Sequence, residues 1–576
     1  MKKEEKVLIV GGVAGGATAA ARLRRNSEQA EIIMFERGKY ISFANCGLPY
    51  YIGGKIENVQ DLTLETPEHF QTRFCVDVRI WSEVIKIDPD LKKITVKNHQ
   101  TAQIYEESYD KLILATGAEP IKPAIEGINS KSVFTLRSIP DAYKIKNYIT
   151  QYKPKSAIIV GGGYIGVEMA ENLHQAGLNV TIVEMSDQVI APLDYDMASD
   201  VHRYMRSKCV HLILNKAVQS IRENDNGLCV SLGDDSIKAD MLIMAVGVRP
   251  ESKIAQEAGL LVNQRGAIVV SANMLTSDKD VYAVGDVAEV NDFITNQAMF
   301  VPLAGPANKQ GRIAADHICG KDSCYTGTQG SAILKVFDMV IASTGINEKT
   351  AKRLQLTYDK SFTYSPSHAT YYPGAVNMAV KLIFEKKTGK VLGAQIVGFE
   401  GVDKRCDILA AAIRFGATVK NLTQLELCYA PPFSSAKDPV NMAGFAAENL
   451  LEGTVKHFHW HDVHDLIKSS KAIFLDVRTN IEYKQGHIDG FMNIPLDELR
   501  DKMHQLDKTK PVYITCRVGV RGYIAARTLL QNGFDAYNLS GGYRLYNSIF
   551  GETATLPNPI GLHPESKLVA NETLGL

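Results

Sequence analysis

The chain has 576 residues, 45% hydrophobic and 22% charged, a balance that excludes a disordered, collagenous or membrane-embedded protein. At about 100–200 residues per domain the length predicts about three to five domains. Lys and Arg number 64 and Asp and Glu number 64, so the totals offer no basic face for nucleic acid or an anionic membrane.

Lys2 and Lys3 precede an apolar run, but Glu4, Glu5 and the shortness of Val7–Val10 argue against a secretory leader. No stretch nears the roughly 18 apolar residues of a membrane helix. A cytoplasmic protein is expected. The nine cysteines are odd in number, scattered and without a Cys-x-x-Cys pair, which argues against a disulfide framework or a zinc ribbon. A cysteine that matters here acts singly.

Residues 6–36 predict strand, turn, helix, strand: Lys6–Val10, then Gly11-Gly12-Val13-Ala14-Gly15-Gly16, then Ala17–Arg25, then Ile32–Phe35 ending at Glu36. Such a turn brings backbone N–H groups to a pyrophosphate at a helix N-terminus. Glu36 stands twenty residues beyond Gly16, where a carboxylate binds a ribose diol. Val13 holds the place of the middle glycine. Tyr109–Pro120 reads as a strand ending in Ala115-Thr116-Gly117, and Thr276–Asp286 as one ending in Gly285-Asp286. Together the three segments resemble the FAD-binding parts of the two-dinucleotide-domain flavoprotein reductases. That resemblance implies FAD at residues 11–16, Glu36, Arg37, Thr116, Gly117, Gly285, Asp286 and Ala304.

Ser156–Glu184 repeats the unit with a complete Gly161-x-Gly163-x-x-Gly166, and Glu184 closes its second strand eighteen residues later. A carboxylate there accepts from the 2′-OH of NAD and repels the 2′-phosphate of NADP, so NADH is preferred, with NADPH left open. Tyr164 and Ile165 lie in the turn, and Gly247, in Ala245–Pro250, belongs to the return into the FAD domain. Two nucleotides in one chain imply hydride transfer from nicotinamide to flavin.

Cys46, in Ser42-Phe43-Ala44-Asn45-Cys46-Gly47-Leu48-Pro49-Tyr50, follows the first nucleotide strand. A glutathione-reductase type would place a second cysteine five residues on, where Tyr51 stands. Cys46 therefore needs an external sulfur, or a sulfenic acid, as its oxidised partner. Residues 1–448 resemble coenzyme A-disulfide reductases and their persulfide-reductase relatives, most specifically in SFANCGLPY. The resemblance implies Cys46 as nucleophile, with Ser42 and Asn45 beside it, and coenzyme A contacts at Thr18, Arg22, Arg25, Arg73 and Lys437. Cations suit a ligand bearing a 3′-phosphate and a pyrophosphate. It also implies a homodimer in which Tyr371, in HATYYPG, and Tyr429, in CYAPPFSSAKDP, serve the partner subunit's site. Lys335–Gly345 and Ala379–Val397 read as strands of that dimerisation domain, with a turn at Lys386–Gly389.

His457, His459 and His461 alternate with aromatics and predict a strand or linker, with no metal site. After them Ala472–Thr479 and Val512–Cys516 read as buried strands, and Cys516–Arg521 opens a helix, Gly522–Gly533. This part resembles a rhodanese domain. A cysteine at a strand end, facing loop N–H groups and a helix N-terminus, is favoured as thiolate and binds an anionic sulfur donor, with Arg521 closing the loop.

The expected fold is α/β: two Rossmann-like dinucleotide-binding domains, one inserted in the other, an α+β dimerisation domain and an α/β rhodanese domain. The expected boundaries are 1–112 with 246–325 for FAD, 113–245 for NADH, 326–448 for dimerisation, a linker at 449–454, the rhodanese at 455–549 and a tail at 550–576. The expected function is NADH-dependent reduction of coenzyme A disulfide, coenzyme A persulfide or polysulfide through Cys46, with Cys516 handling sulfane sulfur and sulfide released. Two other readings compete: an NADH oxidase or peroxidase cycling Cys46 through sulfenic acid, and a sulfide- or redox-sensing interaction protein.

Overall fold

The computed structural model describes residues 5–225, 227–469 and 471–551. The tail expected from residue 550 falls almost wholly outside the described residues. The chain forms two compact units, Met1–Ser186 with Leu212–Thr328, and Asp187–His211 with Gln329–Leu576.

In the first unit, apolar runs too short for helices make a parallel sheet ordered Val281–Ala283, Lys111–Leu114, Lys6–Val10, Glu31–Phe35 and Asp77–Arg79. A second parallel sheet contains Asn179–Val183, Ser156–Val160, Met241–Met244 and Val133–Phe134 in that order. Burial on both faces explains why the central strands are continuously apolar, whereas the edge strand Asp77–Arg79 is charged and partly exposed. Each sheet has an antiparallel three-stranded companion, Ser82–Ser108 and Ser220–Ala239. The chain leaves the first sheet along Ala118–Pro120 and returns along Val248–Pro250, and these two segments pair antiparallel. One insertion therefore has its exit and entry tied side by side.

The first glycine turn leads into helix Ala14–Asn26, three residues earlier than the sequence predicts. The helix packs on Ala304–Ile318 so closely that a Cβ on Gly311 would sit 2.3 Å from the carbonyl oxygen of Gly15. Alanines at 19 and 20, fully buried, allow that approach.

In the second unit an antiparallel sheet runs Ala332–Val336, Met339–Gly345, Val391–Gly398, Asn377–Glu385, Tyr358–Pro366. Helices Val402–Arg414 and Pro439–Leu451 pack against it. A parallel sheet follows, ordered Lys456–Phe458, Ala536–Leu539, Val512–Thr515, Ile473–Asp476, Met492–Asn493. The His457–His461 stretch is a strand to Phe458 and then a short turn at Trp460–Asp462.

Helix Tyr195–Ser207 lies in the inserted nucleotide domain by sequence, yet packs in this second unit. Its acidic residues explain this. Asp200 accepts from Ser548 Oγ at 2.6 Å and from Arg544 at 3.3 Å, and Arg203 donates to the carbonyl of Asn547 at 2.8 Å. Asp196 accepts two bonds from Lys381 Nζ, at 2.8 and 2.9 Å. Among the described residues no helix is long and apolar enough to cross a membrane.

Candidate active site

The two glycine turns share one geometry. Gly11 and Gly161 have φ of +101° and +107°, and a Cβ on either would lie 2.3 Å from a carbonyl oxygen, of Ala115 or Ala245. A Cβ on Gly16 or Gly166 would fall 1.9 or 2.0 Å from the carbonyl of Gly11 or Gly161. Only glycine admits the helix start so near the strand end. Val13 takes the N-cap position that Gly163 holds in the second turn, and Gly163 faces open space. Each strand-end carboxylate also braces its turn. Glu36 accepts from the N–H of Gly12 at 3.1 Å and Gly38 at 2.9 Å; Glu184 accepts from Gly162 at 2.6 Å and Ser186 at 2.8 Å.

The open approach at Gly163, the helix N-termini behind both turns and the carboxylates at the strand ends fit two dinucleotides. Gly285 keeps the φ of +77° that its turn requires, and its N–H donates to buried Gln310 at 2.7 Å. Burial pushes the Asp286 carboxyl up to about 6, against the pull of Arg137. A carboxyl near neutrality suits hydrogen bonding to a hydroxylated chain.

Arg37 and Thr116, expected at the FAD, belong to one network. Arg37 pairs with Glu251, Arg137 donates to Glu251 at 2.9 Å and to the carbonyl of Thr116 at 3.0 Å, and Thr116 Oγ1 donates to the carbonyl of Glu251 at 2.7 Å. Beside them Gly117 has φ of +74°, and Gly247 of +116°. Ala304 opens its helix, Tyr164 opens the helix of the second turn, and Ile165 is exposed. Arg137 and Glu251 are not legible as site residues from sequence, since neither sits in a motif.

Cys46 is exposed, in a single turn at Asn45–Gly47 that runs into helix Leu48–Ile52. Asn45 Oδ1 accepts from the Cys46 N–H at 3.0 Å and stands 3.7 Å from its sulfur. Ser42 is left-handed, φ +44°, and its N–H donates to the carbonyl of Gly12, so the cysteine loop is tied to the first glycine turn. Desolvation raises the Cys46 thiol, as do the nearby carboxylates Glu168 and Asp286. Glu168 itself is pushed up to about 7, by burial above all, while the bond from Tyr50 lowers it and Glu171 raises it. The Tyr50 hydroxyl donates to Glu168 at 3.4 Å, and burial drives that phenol up to about 12. No motif marks Glu168 in the sequence. Its signal is present: it lies four residues after Tyr164, on one face of the helix behind the second glycine turn.

The cations matched to coenzyme A differ in availability. Arg22 is paired with Asp316 at 2.7 Å and Arg73 with Glu65 at 3.0 Å, while Thr18 donates to Asn308 at 2.5 Å. Arg25 and Lys437 are exposed, with no partner among the described residues. Tyr371 and Tyr429 are 73% and 48% exposed, and their hydroxyls meet at 2.8 Å. That bond raises the Tyr371 phenol.

Cys516 ends strand Val512–Thr515 and is buried. The N–H of Gly519 donates to its sulfur at 3.1 Å, and helix Val520–Gln531 begins just beyond. The expectation of a favoured thiolate is altered here. Burial raises this thiol, outweighing the lowering by Arg521 and by the N–H groups of Gly522, Gly519 and Val518. Arg521 does not stand alone over the loop: Glu482 holds it through two bonds of 2.7 Å. His461 lies against Asp462, and burial lowers His457 to about 4.

Residues 5–311 match the pyridine nucleotide-disulphide oxidoreductase family, 331–439 the dimerisation domain of that family, and 459–548 the rhodanese-like domain. A coenzyme A disulfide reductase of Staphylococcus epidermidis is 37% identical over 445 residues, which are 77% of this chain and all of that protein. The solved structure of reduced Bacillus anthracis CoADR-RHD is 50% identical, with a TM-score of 0.93 over 95% of this chain and 98% of that one. A NAD-dependent persulfide reductase from A. fulgidus is 35% identical, with a TM-score of 0.88 over 95% of this chain and all of that one. The family's cofactors are FAD and NAD(P)H, and the paired turns fit them. The chain belongs to the pyridine nucleotide-disulphide oxidoreductase family, and carries that family's dimerisation domain and a rhodanese-like domain behind it.

Proposed function

We propose that this oxidoreductase uses NADH to reduce coenzyme A disulfide, coenzyme A persulfide or polysulfide through Cys46, and that Cys516 handles the sulfane sulfur. The observation that carries the reading is the exposed, single Cys46 in a loop tied through Ser42 to the first glycine turn, in a chain that also places a cysteine just after a rhodanese strand. The boundaries expected from sequence define the parts, and the location proposed is the cytoplasm, where nine free cysteines persist. Glu184, with Met185 and Ser186 behind it and no arginine, favours NADH over NADPH.

The Cys46 thiolate attacks one sulfur of the substrate. The S–S bond breaks, a Cys46–S–S–R mixed disulfide forms, and RS⁻ leaves with a proton from a phenol. When bound, the nicotinamide and the flavin would supply the electron pair that breaks the mixed disulfide, returning Cys46 to thiolate and releasing the second RS⁻. Asn45 orients the sulfur. Glu168, near neutral, holds or releases a proton beside it. Tyr371 and Tyr429 supply the phenol to the partner subunit of a homodimer. The coenzyme A contacts proposed are Thr18, Arg22, Arg25 and Arg73, with Lys437 of the dimerisation domain as a further one. At the other site the Cys516 thiolate takes the terminal sulfur of R–S–S⁻, becoming Cys516–S–S⁻ and releasing RS⁻.

The test is anaerobic NADH oxidation with coenzyme A persulfide and then coenzyme A disulfide, with released sulfide recorded. Wild type turns both over; Cys46→Ser turns over neither; Cys516→Ser loses only sulfane donors. Wild-type turnover by Cys46→Ser would end the proposal, and rapid oxygen or peroxide consumption without thiol substrate would replace it with the oxidase.

A further inference from the structure

The two tyrosines sit on irregular segments, 367–376 and 425–438, far apart in sequence and largely without ladder or helix bonds. Their exposed hydroxyls nonetheless meet at 2.8 Å. Two mobile loops in water would not hold such a contact, because the entropy of ordering both exceeds one exposed hydrogen bond. Something fixes them from beneath.

The buried side chain there is Arg405, on helix Val402–Arg414 and 1% exposed. Its Nη2 donates to the carbonyl of Ser367 at 2.9 Å, four residues before Tyr371. The same nitrogen donates to Ser434 Oγ at 3.1 Å and Asp438 Oδ2 at 2.9 Å, beyond Tyr429. Ser434, fully buried, donates to Asp438 Oδ2 at 2.7 Å, and the N–H of Ala369 donates to the carbonyl of Ser434 at 3.1 Å. One guanidinium thus clasps both segments. A planar fork suits this, and a point-charge ammonium does not. Asp438 precedes Pro439 and caps the next helix, so the clasp is anchored to regular structure at both ends.

We infer that Arg405, with Ser434 and Asp438, is the positioning device that sets the Tyr371–Tyr429 pair for proton donation to the leaving thiolate. The inference rests on the proposed role of the tyrosines.

The test compares Arg405→Lys, Ser434→Ala, Tyr429→Phe and the doubles of each with Tyr429→Phe, in the full-length enzyme loaded with FAD. Steady-state kcat and KM for coenzyme A disulfide are measured, together with the rate at which NADH bleaches the flavin. Loss of a positioned proton donor costs about 10²-fold or more. Tyr429→Phe therefore lowers kcat about 10²-fold. Arg405→Lys lowers it about tenfold or more, since displacement near 1 Å costs up to about 10²-fold. KM changes little and flavin bleaching keeps its rate. The decisive result is that each double loses less than the product of its two single losses, because Arg405 acts through the tyrosine pair that Tyr429→Phe has already broken. Ser434→Ala, the milder change, carries the test if Arg405→Lys fails to fold.

Multiplicative losses in the doubles, or wild-type kcat in both Arg405→Lys and Ser434→Ala beside a slow Tyr429→Phe, would overturn the inference alone. Wild-type kcat in Tyr429→Phe would remove the tyrosine role, and the inference with it.

Discussion

Lys381 is 0% exposed, and its ammonium lies 3.0 Å from Asp194, 2.8 Å from Asp196 and 2.6 Å from Glu348. Lys360 adds a second buried cation at 2.8 Å from Glu348, and the exposed Lys352 lies 3.7 Å from it, so three carboxylates share two buried ammonium groups. Lys381→Met keeps the volume and removes one cation, leaving three buried carboxylates against Lys360. Breaking a buried pair by deleting one partner costs about 3–5 kcal/mol. With a urea slope of about 2 kcal/mol/M, the unfolding midpoint falls by about 2 M. The reporter is built in: Trp460 Nε1 donates to Asp196 at 3.4 Å, and Trp81, in the other unit, is the second of two tryptophans. In a Trp81→Phe background, Trp460 fluorescence follows the cluster alone. Adding Asp194→Asn to Lys381→Met removes one of the two charges that Lys381 alone had paired and recovers part of the loss.

The cluster also sets a pH response. Lys381 and Lys360 hold Glu348 well below its ordinary value despite burial. A depressed carboxylate stabilises the fold fully above its unfolded pKa, about 4.3, and loses that contribution progressively as pH falls from there through the depressed value. In Lys381→Met the depression shrinks, so acid unfolding begins at higher pH. A midpoint shift below about 0.5 M, or no recovery on adding Asp194→Asn, would refute the reasoning.

Three further outcomes follow from other parts of the structure. Gly166→Ala puts a Cβ 2.0 Å from the carbonyl of Gly161, so the nucleotide-side helix must retreat by about 1 Å; KM for NADH rises about tenfold or more while FAD content holds, and an unchanged KM refutes the close-approach argument. Glu168→Gln removes a charge that raises Cys46, so the pH profile of iodoacetamide labelling at Cys46 moves to lower pH; movement upward or none contradicts the assigned sign. Glu482→Gln removes the carboxylate paired with Arg521, so Cys516 labels faster at neutral pH, and an unchanged rate would show that this pair does not govern that thiol.

What the sequence determined by itself is local. The glycine turns are legible because their spacing answers a steric demand between residues five apart, and the structure repeats it at Gly11 and Gly161. Glu36 and Glu184 are legible because a strand delivers its last side chain to a fixed place. Cys46 and Cys516 are legible because each stands in a short turn chemistry of its own. The tertiary structure decided what depends on partners distant in the chain. Arg22 and Arg25 look alike on one helix, yet Asp316, nearly three hundred residues later, claims Arg22 alone. Arg521 reads as the cation that closes its loop until Glu482 is placed beside it, and helix Tyr195–Ser207 reads as nucleotide domain until Asp196 and Asp200 meet Lys381 and Arg544. Charge partnership, desolvation and the clasp at Arg405 are properties of packing, and periodicity along a chain carries no record of which surfaces will meet.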